Sequence, residues 1–545
     1  MDDSFVKAPV SVPKLSGFDK SFQNILTSKV GTITPILVDE LIPGSRVNLR
    51  AAISASLPPL ASDTFMRCSI KCEAFFVPMR LLCGSFESFF TDNPKRFYEG
   101  STPSVVKGLL PVLKSYATGS NTPEFVKDIQ RVGGLADYLN YKSSDTTLLG
   151  SKGISAMPFL AYWKIWEDWY RNSLVQTECF LPAGNSLAPS PRGASTAAIS
   201  PFTFFDADGE MHSPFMTTDA EATLANGVRL TQLAQRNFGL DYFTTATPQP
   251  QQGASSGVSF ATDGPEGQFS IAALRSANSL QQFKERNNLL GNLYVEQIRG
   301  RYGVRPSDGV AQRSIYLGRA ECEVYTKGIF QSNSQEDISG YAANPFGTVG
   351  ARYGSAYASG DQLNVNFTAT ECGYFFVMAT LVPRVTYSSG VDRMLTRYVG
   401  EGSLVEMANP ILQNVGPEPI YNYELASSGD HVFGYTDRYG SFKIKHDQLH
   451  GLLRDGQSLQ SFALQRTFGN GSTQTLNSAF LEIPTNYMDQ VTAVSGWLSE
   501  YGYILDSYFD YKVSMPLSKY ALPSLQDPAY EHGETIVVSK GGSKL

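Results

Sequence analysis

Apolar and polar residues alternate with a period of two near both ends of the chain. Residues 67–74 alternate in this way before the apolar run 75–78, and residues 505–515 place five apolar side chains on one face. Residues 374–379 are apolar throughout, and residues 442–445 alternate again. Because successive side chains of a strand point to opposite faces, each of these segments predicts a β-strand.

The middle of the chain has helical spacing instead. A first group of apolar residues follows Pro158 at spacings of four, three, four and four: Phe159, Trp163, Trp166, Tyr170 and Leu174. A second group keeps a helical spacing if polar Asn287 is accepted on the stripe: Leu280, Phe283, Leu290, Tyr294 and Ile298. These groups predict two helices, and the Ser-, Thr-, Ala-, Pro- and Gly-rich residues 183–267 between them predict long loops.

Strands at both ends with helices between them predict one sheet system that distant segments close. We therefore expect residues 67–74 and 505–515 to share one β-sandwich, with the two central helices outside it. The predicted class is all-β with helical insertions, arranged more like a jelly roll with large insertions than like separate domains. The composition agrees, because 12% aromatic residues with 48 Gly and 30 Pro favour many short strands and long loops.

The charge of the chain is low and unevenly distributed. Charged residues make up only 17% of the 545 residues, which indicates that something other than water covers part of the surface. The net charge of −7 gives no global sign of a nucleic-acid-binding protein. Residues 271–320 differ, because they hold eight Lys or Arg against three Asp or Glu. This basic segment is either a solvated helical face or a binding surface.

The residues that could form a metal or catalytic site lack the required spacing. Cys68 and Cys72 would lie about 13 Å apart on a strand, too far for one ion. His446 and His450 would share a face only if their segment were helical. Residues 206–210 resemble a calcium loop, but the glycine falls at the wrong position, so a turn is expected.

No nucleotide-binding or hydrolase motif is present, so we expect no catalytic residue, no metal and no cofactor. A Ser/His/Asp set remains open, because geometry and not chain order defines it. The six cysteines show no framework spacing, and we expect six free thiols. The acidic start predicts no signal peptide, and the apolar run 372–383 is far shorter than the roughly 20 residues of a membrane helix.

Several short blocks resemble the major capsid proteins of microviruses, particularly those of the gokushovirus branch. In chain order the blocks are LIPG at 41–44, FFVPMRLL at 75–82, AYWKIW at 161–166 with WYRN at 169–172, DYFT at 241–244 with PQPQ at 248–251, LR at 274–275, YGVR at 302–305, QR at 312–313 with YLG at 316–318, and VFGY at 432–435 with RY at 438–439. One block alone is a weak signal, but their order from about residue 16 to 520 matches the family.

The resemblance implies a single viral jelly roll, an eight-stranded β-sandwich with long interstrand loops. Its expected parts are an N-terminal arm, the first jelly-roll strands, loop and helix insertions, the remaining strands with their loops, and a C-terminal tail, at 1–28, 29–90, 91–320, 321–515 and 516–545. It also implies a non-enzymatic virion protein that assembles in the host bacterial cytoplasm. The homo-oligomer would be a T=1 icosahedral shell around a circular single-stranded DNA genome.

The resemblance further implies a small basic DNA-binding protein and a pilot or spike protein as partners. Because the net charge of −7 cannot neutralise a genome, a basic protein or small cations are needed. Arg299, Arg301 and Arg305 follow a predicted helix within the basic segment, and we expect them to face the interior and contact DNA phosphates. The alternative is that they pair with carboxylates of a neighbouring subunit.

Two further alternatives remain at this point. A secreted all-β carbohydrate-binding protein or glycosidase would need an export signal and either paired carboxylates or an aromatic platform. A spike is another possible virion component. The chain also departs from its relatives, because only residues 252–269 occupy the place of a long gokushovirus insertion at the three-fold axis. We expect residues 183–234 to decorate the surface instead, or to lie flat between subunits.

Overall fold

The structure is a computed structural model that describes residues 15–517 with gaps, the longest at 181–214, 252–270, 331–351 and 397–416. The strands are β1 (Ser16–Asp19), β2 (Phe22–Ser28), β3 (Thr34–Leu41), β4 (Arg46–Ser56), β5 (Cys68–Pro78), β6 (Lys95–Glu99), β7 (Thr102–Val106), β8 (Val112–Leu113), β9 (Ile154–Ser155), β10 (Phe215–Met216), β11 (Ile315–Phe330), β12 (Arg352–Ser359), β13 (Leu363–Thr368), β14 (Gly373–Pro383), β15 (Glu418–Tyr421), β16 (Val432–Thr436) and β17 (Tyr503–Met515). The α-helices are α1 (Phe86–Thr91), α2 (Glu124–Gln130), α3 (Leu135–Tyr138), α4 (Thr147–Ser151), α5 (Met157–Ile165), α6 (Ile271–Leu290), α7 (Tyr294–Tyr302), α8 (Arg393–Thr396), α9 (Gly440–Lys443), α10 (Ser478–Leu481) and α11 (Trp497–Glu500).

Ten strands of the described residues form one antiparallel sheet in the order β1-β17-β4-β12-β11-β5-β14-β3, with β2 also paired to β17 and β13 to β4. Strand β17 pairs with β1, β2 and β4, so the last strand of the described residues is held by the first ones. Strands β5 and β17 lie in the same sheet, which confirms that the period-two segments at the two ends belong to one sheet system.

The long strand β11 joins the two halves of this sheet. Its residues 315–323 pair with β5, and its residues 324–330 pair with β12. A bulge interrupts the first pairing between Tyr316 and Gly318. The sheet curls around this strand, so the ring of Phe375 on β14 stacks on Tyr511 of β17 with centroids 6.1 Å apart. The main apolar core fills the space between the two halves.

The burial pattern of each strand shows how many of its faces are covered. Strands β4 and β17 alternate strictly between buried and more exposed residues, as the period-two pattern predicts. The second half of β5 is buried on both faces. Phe76 faces the main core, whereas Phe75 and Val77 face a second apolar layer that contains α2, α3 and α5. The first predicted helix therefore lies outside the sheet, as expected.

Helix α5 occupies the place of the first predicted helix but is buried almost all round. Eight of its nine residues are buried. A π-helical turn, Trp166–Tyr170, follows α5, so Leu174 lies beyond the helix. The indole nitrogen of Trp163 donates to the carbonyl of Leu230 at 2.9 Å, and the hydroxyl of Tyr162 donates to Ile33 at 2.7 Å. The segment around Leu230 therefore covers the face of α5 that points away from the sheet.

The second predicted helix is two helices, and the first two residues of its apolar stripe, Leu280 and Phe283, are exposed. Helix α6 ends at Leu290 and α7 begins at Tyr294. The break follows from a new N-terminus, where the backbone N–H of Leu293 donates to the carboxylate of Glu296 at 3.1 Å. Gly303, with φ of 70°, ends α7 in the left-handed conformation that glycine adopts without strain.

The predicted strand at residues 442–445 is wrong. Residues Gly440–Lys443 form the short helix α9. Tyr439 precedes it with φ of 64°, which turns the chain out of the extended conformation. Phe442 and Ile444 are 49% and 38% exposed, so a strand at these residues would bury no apolar face.

Part of the predicted surface decoration is buried. In the stretch 183–234, Ala222, Leu224 and Leu230 are at most 2% exposed and pack in the second apolar layer. The prediction is therefore wrong for this last part of the stretch. Most of the remainder, together with residues 252–269, lies outside the described residues.

Candidate nucleic-acid and subunit interface

Helices α6 and α7 and the turn before β11 carry a group of exposed apolar side chains. Helix α6 is attached through Asn288, which is 3% exposed and donates to the carbonyl of Gln249. We define the α6–α7 apolar surface as seven side chains between 47% and 78% exposed: Leu274, Leu280, Phe283, Leu289, Tyr302, Val304 and Val310. Such a concentration of exposed apolar side chains is typical of a contact surface.

Two of the three arginines predicted to contact DNA are exposed beside this surface. Arg299 lies in the last turn of α7, and Arg305 follows that helix. Among the described residues, neither guanidinium forms a salt bridge with a carboxylate. The Arg305 guanidinium lies 6.0 Å from the ring centroid of Trp169. The side chain of Arg301 lies outside the described part of the structure.

Trp169 attaches the basic segment to the body of the protein. Its indole nitrogen donates to the hydroxyl oxygen of Ser314 at 3.0 Å, and the Arg313 guanidinium lies 3.9 Å from its ring centroid. Arg313 also pairs with Asp308 at 2.8 Å, so its charge is already matched. The sequence patterns did not indicate this role of Arg313 or Ser314, although Trp169 and Arg313 lie in blocks that resemble the microvirus family.

A buried ion pair holds the turn that carries Trp169. The Tyr170 hydroxyl donates to the Glu73 carboxylate at 2.6 Å, and Arg236 pairs with the same carboxylate at 2.6 Å. Burial alone would raise the pKa of Glu73, but the charge and hydrogen bonds of Arg236 outweigh it and keep that pKa below its usual value. Glu73 is therefore ionised and serves to anchor the turn from β5.

The arrangement at the end of α7 can bind an anion. Guanidinium groups without carboxylate partners form charge-assisted hydrogen bonds with phosphate oxygens. The neighbouring side chains of Tyr302 and Val304, 75% and 59% exposed, offer apolar area to bases or to another protein. The geometry therefore suits both a nucleic-acid contact and a subunit contact.

The other candidate chemical residues have structural surroundings. His446 packs against the rings of Phe243 and Tyr387, and burial lowers its pKa. Cys68 and Cys72 lie on β5 in the main core. Across the described ranges, no group of three or more His, Cys, Asp or Glu could hold a metal ion. In the same part of the chain, no helix has the length and apolarity to cross a membrane.

Comparison with known proteins identifies the family. The family model described as "Capsid protein (F protein)" matches residues 9–267 and 260–525. The chain is 23% identical to capsid protein VP1 of Chlamydia phage 1, over 96% of this chain and 98% of that protein. It is 24% identical to capsid protein VP1 of Bdellovibrio phage phiMH2K, over 96% and 97%, and 23% identical to that of Spiroplasma virus 4, over 92% and 94%. The chain therefore belongs to the phage capsid protein (F protein) family.

Proposed function

We propose that this chain is the major capsid protein of a microvirus and assembles a T=1 icosahedral shell around a circular single-stranded DNA genome. The observation that carries this proposal is the match to phage capsid proteins along nearly the whole chain. In this proposal the subunit is a structural protein of the virion without catalytic chemistry, and it assembles in the cytoplasm of the bacterial host.

The proposed subunit is a single jelly roll with large insertions. The curled sheet, whose halves enclose one apolar core, supports this assignment. Residues 29–90 and 321–515 would supply the eight strands of the sandwich, and residues 91–320 the insertions. Residues 1–28 would be an arm whose strands β1 and β2 attach to β17, and residues 516–545 a tail.

Shell formation requires contacts between copies, and the α6–α7 apolar surface is suited to one of them. Its side chains are exposed in the single chain, and their burial against a neighbour would be favourable by roughly 25 cal/mol per Å² of apolar area. We assign this surface to a contact between subunits of the shell.

The DNA contact of the proposed function lies at the end of α7. Arg299, Arg301 and Arg305 would face the interior of the shell and meet phosphates of the genome. The exposure of Arg299 and Arg305 without carboxylate partners among the described residues supports this assignment. A small basic protein or cations would supply the remaining positive charge, and a pilot or spike protein would complete the particle.

Electron cryo-microscopy of the purified native particle tests the shell. We expect a closed particle of about 60 copies of the chain, which is the number of subunits in a T=1 icosahedral shell. An isolated projection, or a single chain of enzyme size under the same conditions, would contradict the proposal.

Ultraviolet crosslinking of intact particles tests the DNA contact separately. We expect DNA-linked peptides from residues 271–320, and fewer of them when Arg299 and Arg305 are both replaced by glutamine. Exposed Arg384, which pairs with Asp447, provides the matched control for an arginine to glutamine change. Crosslinked peptides from other segments with none from this one would favour a subunit contact for these arginines.

A further inference from the structure

One row of exposed side chains crosses β17, β4, β12 and β11 on the face that points away from the main core. In this row Ile504 lies opposite Ser56, Ser56 lies opposite Tyr357, and Tyr357 lies opposite Tyr325. Ile504, Tyr357 and Tyr325 are 53%, 53% and 49% exposed, and the ring centroids of the two tyrosines lie 6.0 Å apart. We call these four residues the β17–β11 row. Exposed aromatic side chains grouped in this way are typical of a contact surface.

Two carboxylates lie beside this row on the same face of the sheet. Asp506 is two residues from Ile504, Glu323 is two residues from Tyr325, and the register of the four strands places both on the same side of the row. Asp506 accepts a hydrogen bond from Gln23 at 2.8 Å, and neither carboxylate forms a salt bridge with another described residue. The β17–β11 row is therefore aromatic and apolar, with negative charge along one side.

Helix α6 has the complementary character. Asn288 is its one buried residue among those whose side chains are described, so the single chain buries little of this helix. The side away from Asn288 carries Arg275, Phe283 and Arg286, whose spacings of eight and three residues return to one face of a helix. Both arginines are exposed, and neither forms a salt bridge with a described carboxylate. Because packing of one face supplies most of the stability of a helix, α6 requires a partner surface.

The row and the helix match in charge and in spacing. Three strand spacings separate Asp506 on β17 from Glu323 on β11, a distance of about 14 Å. The stretch of α6 from Arg275 to Arg286 is about 16 Å long. A helix laid across the four strands therefore brings one arginine to each carboxylate and places Phe283 on the aromatic row between them. The two carboxylates repel phosphates, so this surface does not suit nucleic acid.

We propose that α6 of one subunit packs on the β17–β11 row of a neighbouring subunit. The inference rests on the proposed function and names the surface that receives the α6–α7 apolar surface. A contact between two different surfaces of the same chain is heterologous, and its repetition around an axis closes a ring, as a closed shell requires. Helix-on-sheet packing of this kind already exists within the chain, because α5 lies over β5 in the second apolar layer.

Carbodiimide crosslinking tests the contact, because this reagent joins an amine to a carboxylate that lies against it. The variant Arg286→Lys keeps the positive charge of α6 and supplies the amine. We expect peptides that join position 286 to Asp506 or Glu323 in intact particles, and the loss of these peptides in dissociated subunits. Arg384→Lys is the matched control, because Arg384 pairs with Asp447 of its own chain and position 384 should crosslink equally in both states.

Exchange of the charges tests the pairing independently. When Asp506 and Glu323 are both replaced by arginine, like charges meet at the contact, and the subunit concentration needed for assembly should rise about tenfold or more. Replacement of Arg275 and Arg286 by aspartate should have the same effect. A chain with all four changes should assemble again, because every copy then supplies both exchanged surfaces. Thermal unfolding identifies any variant that fails to fold, and in that case the conservative Arg286→Lys crosslink decides.

Particles in which the Arg384→Lys control crosslinks while Arg286→Lys joins neither carboxylate would overturn the inference. So would assembly of the exchanged variants at the same concentration as the parent, or a chain with all four changes that folds but does not assemble. Parent subunits that form no shell would overturn the proposed function instead.

Discussion

Glu73 and Arg236 form an ion pair beneath the sheet, with side chains 9% and 16% exposed. Removing one member leaves the other charge buried without its partner. Arg236→Ala should therefore lower the free energy of unfolding by about 3–5 kcal/mol. Denaturant unfolding of the dissociated subunit measures this change. The control is Arg384→Ala, because Arg384 and Asp447 are exposed and their pair should contribute only about 0–1 kcal/mol.

The same pair predicts a dependence on pH. Because the folded pKa of Glu73 lies below its unfolded value, the pair stabilises the subunit above the unfolded pKa, and this stability is lost as pH falls through the folded pKa. In Arg236→Ala, burial alone would raise the pKa of Glu73, so its contribution should change sign. Unfolding curves measured between pH 4 and 7 should then show a smaller rise of stability with pH for the variant. Parallel curves for both proteins would contradict this account.

The alternation of residues 67–74 assigns Glu73 to the polar face of its strand, and that assignment of the face is right. It does not reveal that the face is covered. A second apolar layer, built largely from residues far away in the chain, lies over β5 and brings Arg236 to the carboxylate.

All six cysteines are free thiols in the structure, and Cys372 is the one that is not buried. Thiol titration of denatured, unreduced protein should find six reactive groups. In the folded subunit Cys372 should react first, whereas burial raises the pKa of Cys68 to about 12 and keeps its reactive thiolate scarce. Two or fewer reactive groups in denatured protein would indicate disulfides.

Among the elements, β17 holds the sheet together because three other strands pair with it. Phe509 points into the main core at 0% exposure, and its neighbour Tyr508 points outward at 54%. Phe509→Ala should cost about 3–5 kcal/mol of unfolding free energy through the cavity that it leaves. Tyr508→Ala should change this free energy by only about 0.5 kcal/mol. Similar losses of unfolding free energy in both variants would show that the two faces of β17 contribute equally to stability.

The sequence predicted the type of an element correctly where one face of that element is covered and the other is exposed. The alternation of β17 agrees with its burial residue by residue. The prediction at residues 442–445 failed because Tyr439 adopts a left-handed conformation and no core lies beneath the segment. The helical spacing around Trp163 located α5 but could not show that a second segment covers its other side, since a spacing reports only one face.

For the whole molecule, the α6–α7 apolar surface should separate folding from assembly. Replacing Leu280 and Phe283, each 47% exposed, by serine should leave the unfolding free energy of the single subunit nearly unchanged and reduce the fraction found in shells. Sedimentation after reassembly measures that fraction. Val132→Ser is the control, because Val132 is 91% exposed and lies on another segment. Normal shells from the double variant would show that this surface takes no part in the contact between subunits.

The pairing of β17 with β2 and β4 also sets the order of events during synthesis. Roughly 475 residues separate Ser28, the end of β2, from Tyr503. At about 5–20 residues per second the ribosome needs about 25–95 s to make them. Throughout that interval β2 and β4 have open edges toward the missing strand, and such edges invite pairing with other unfinished chains. Because β17 is needed to close the sheet, this part of the fold can form only after residues 503–515 have left the ribosome.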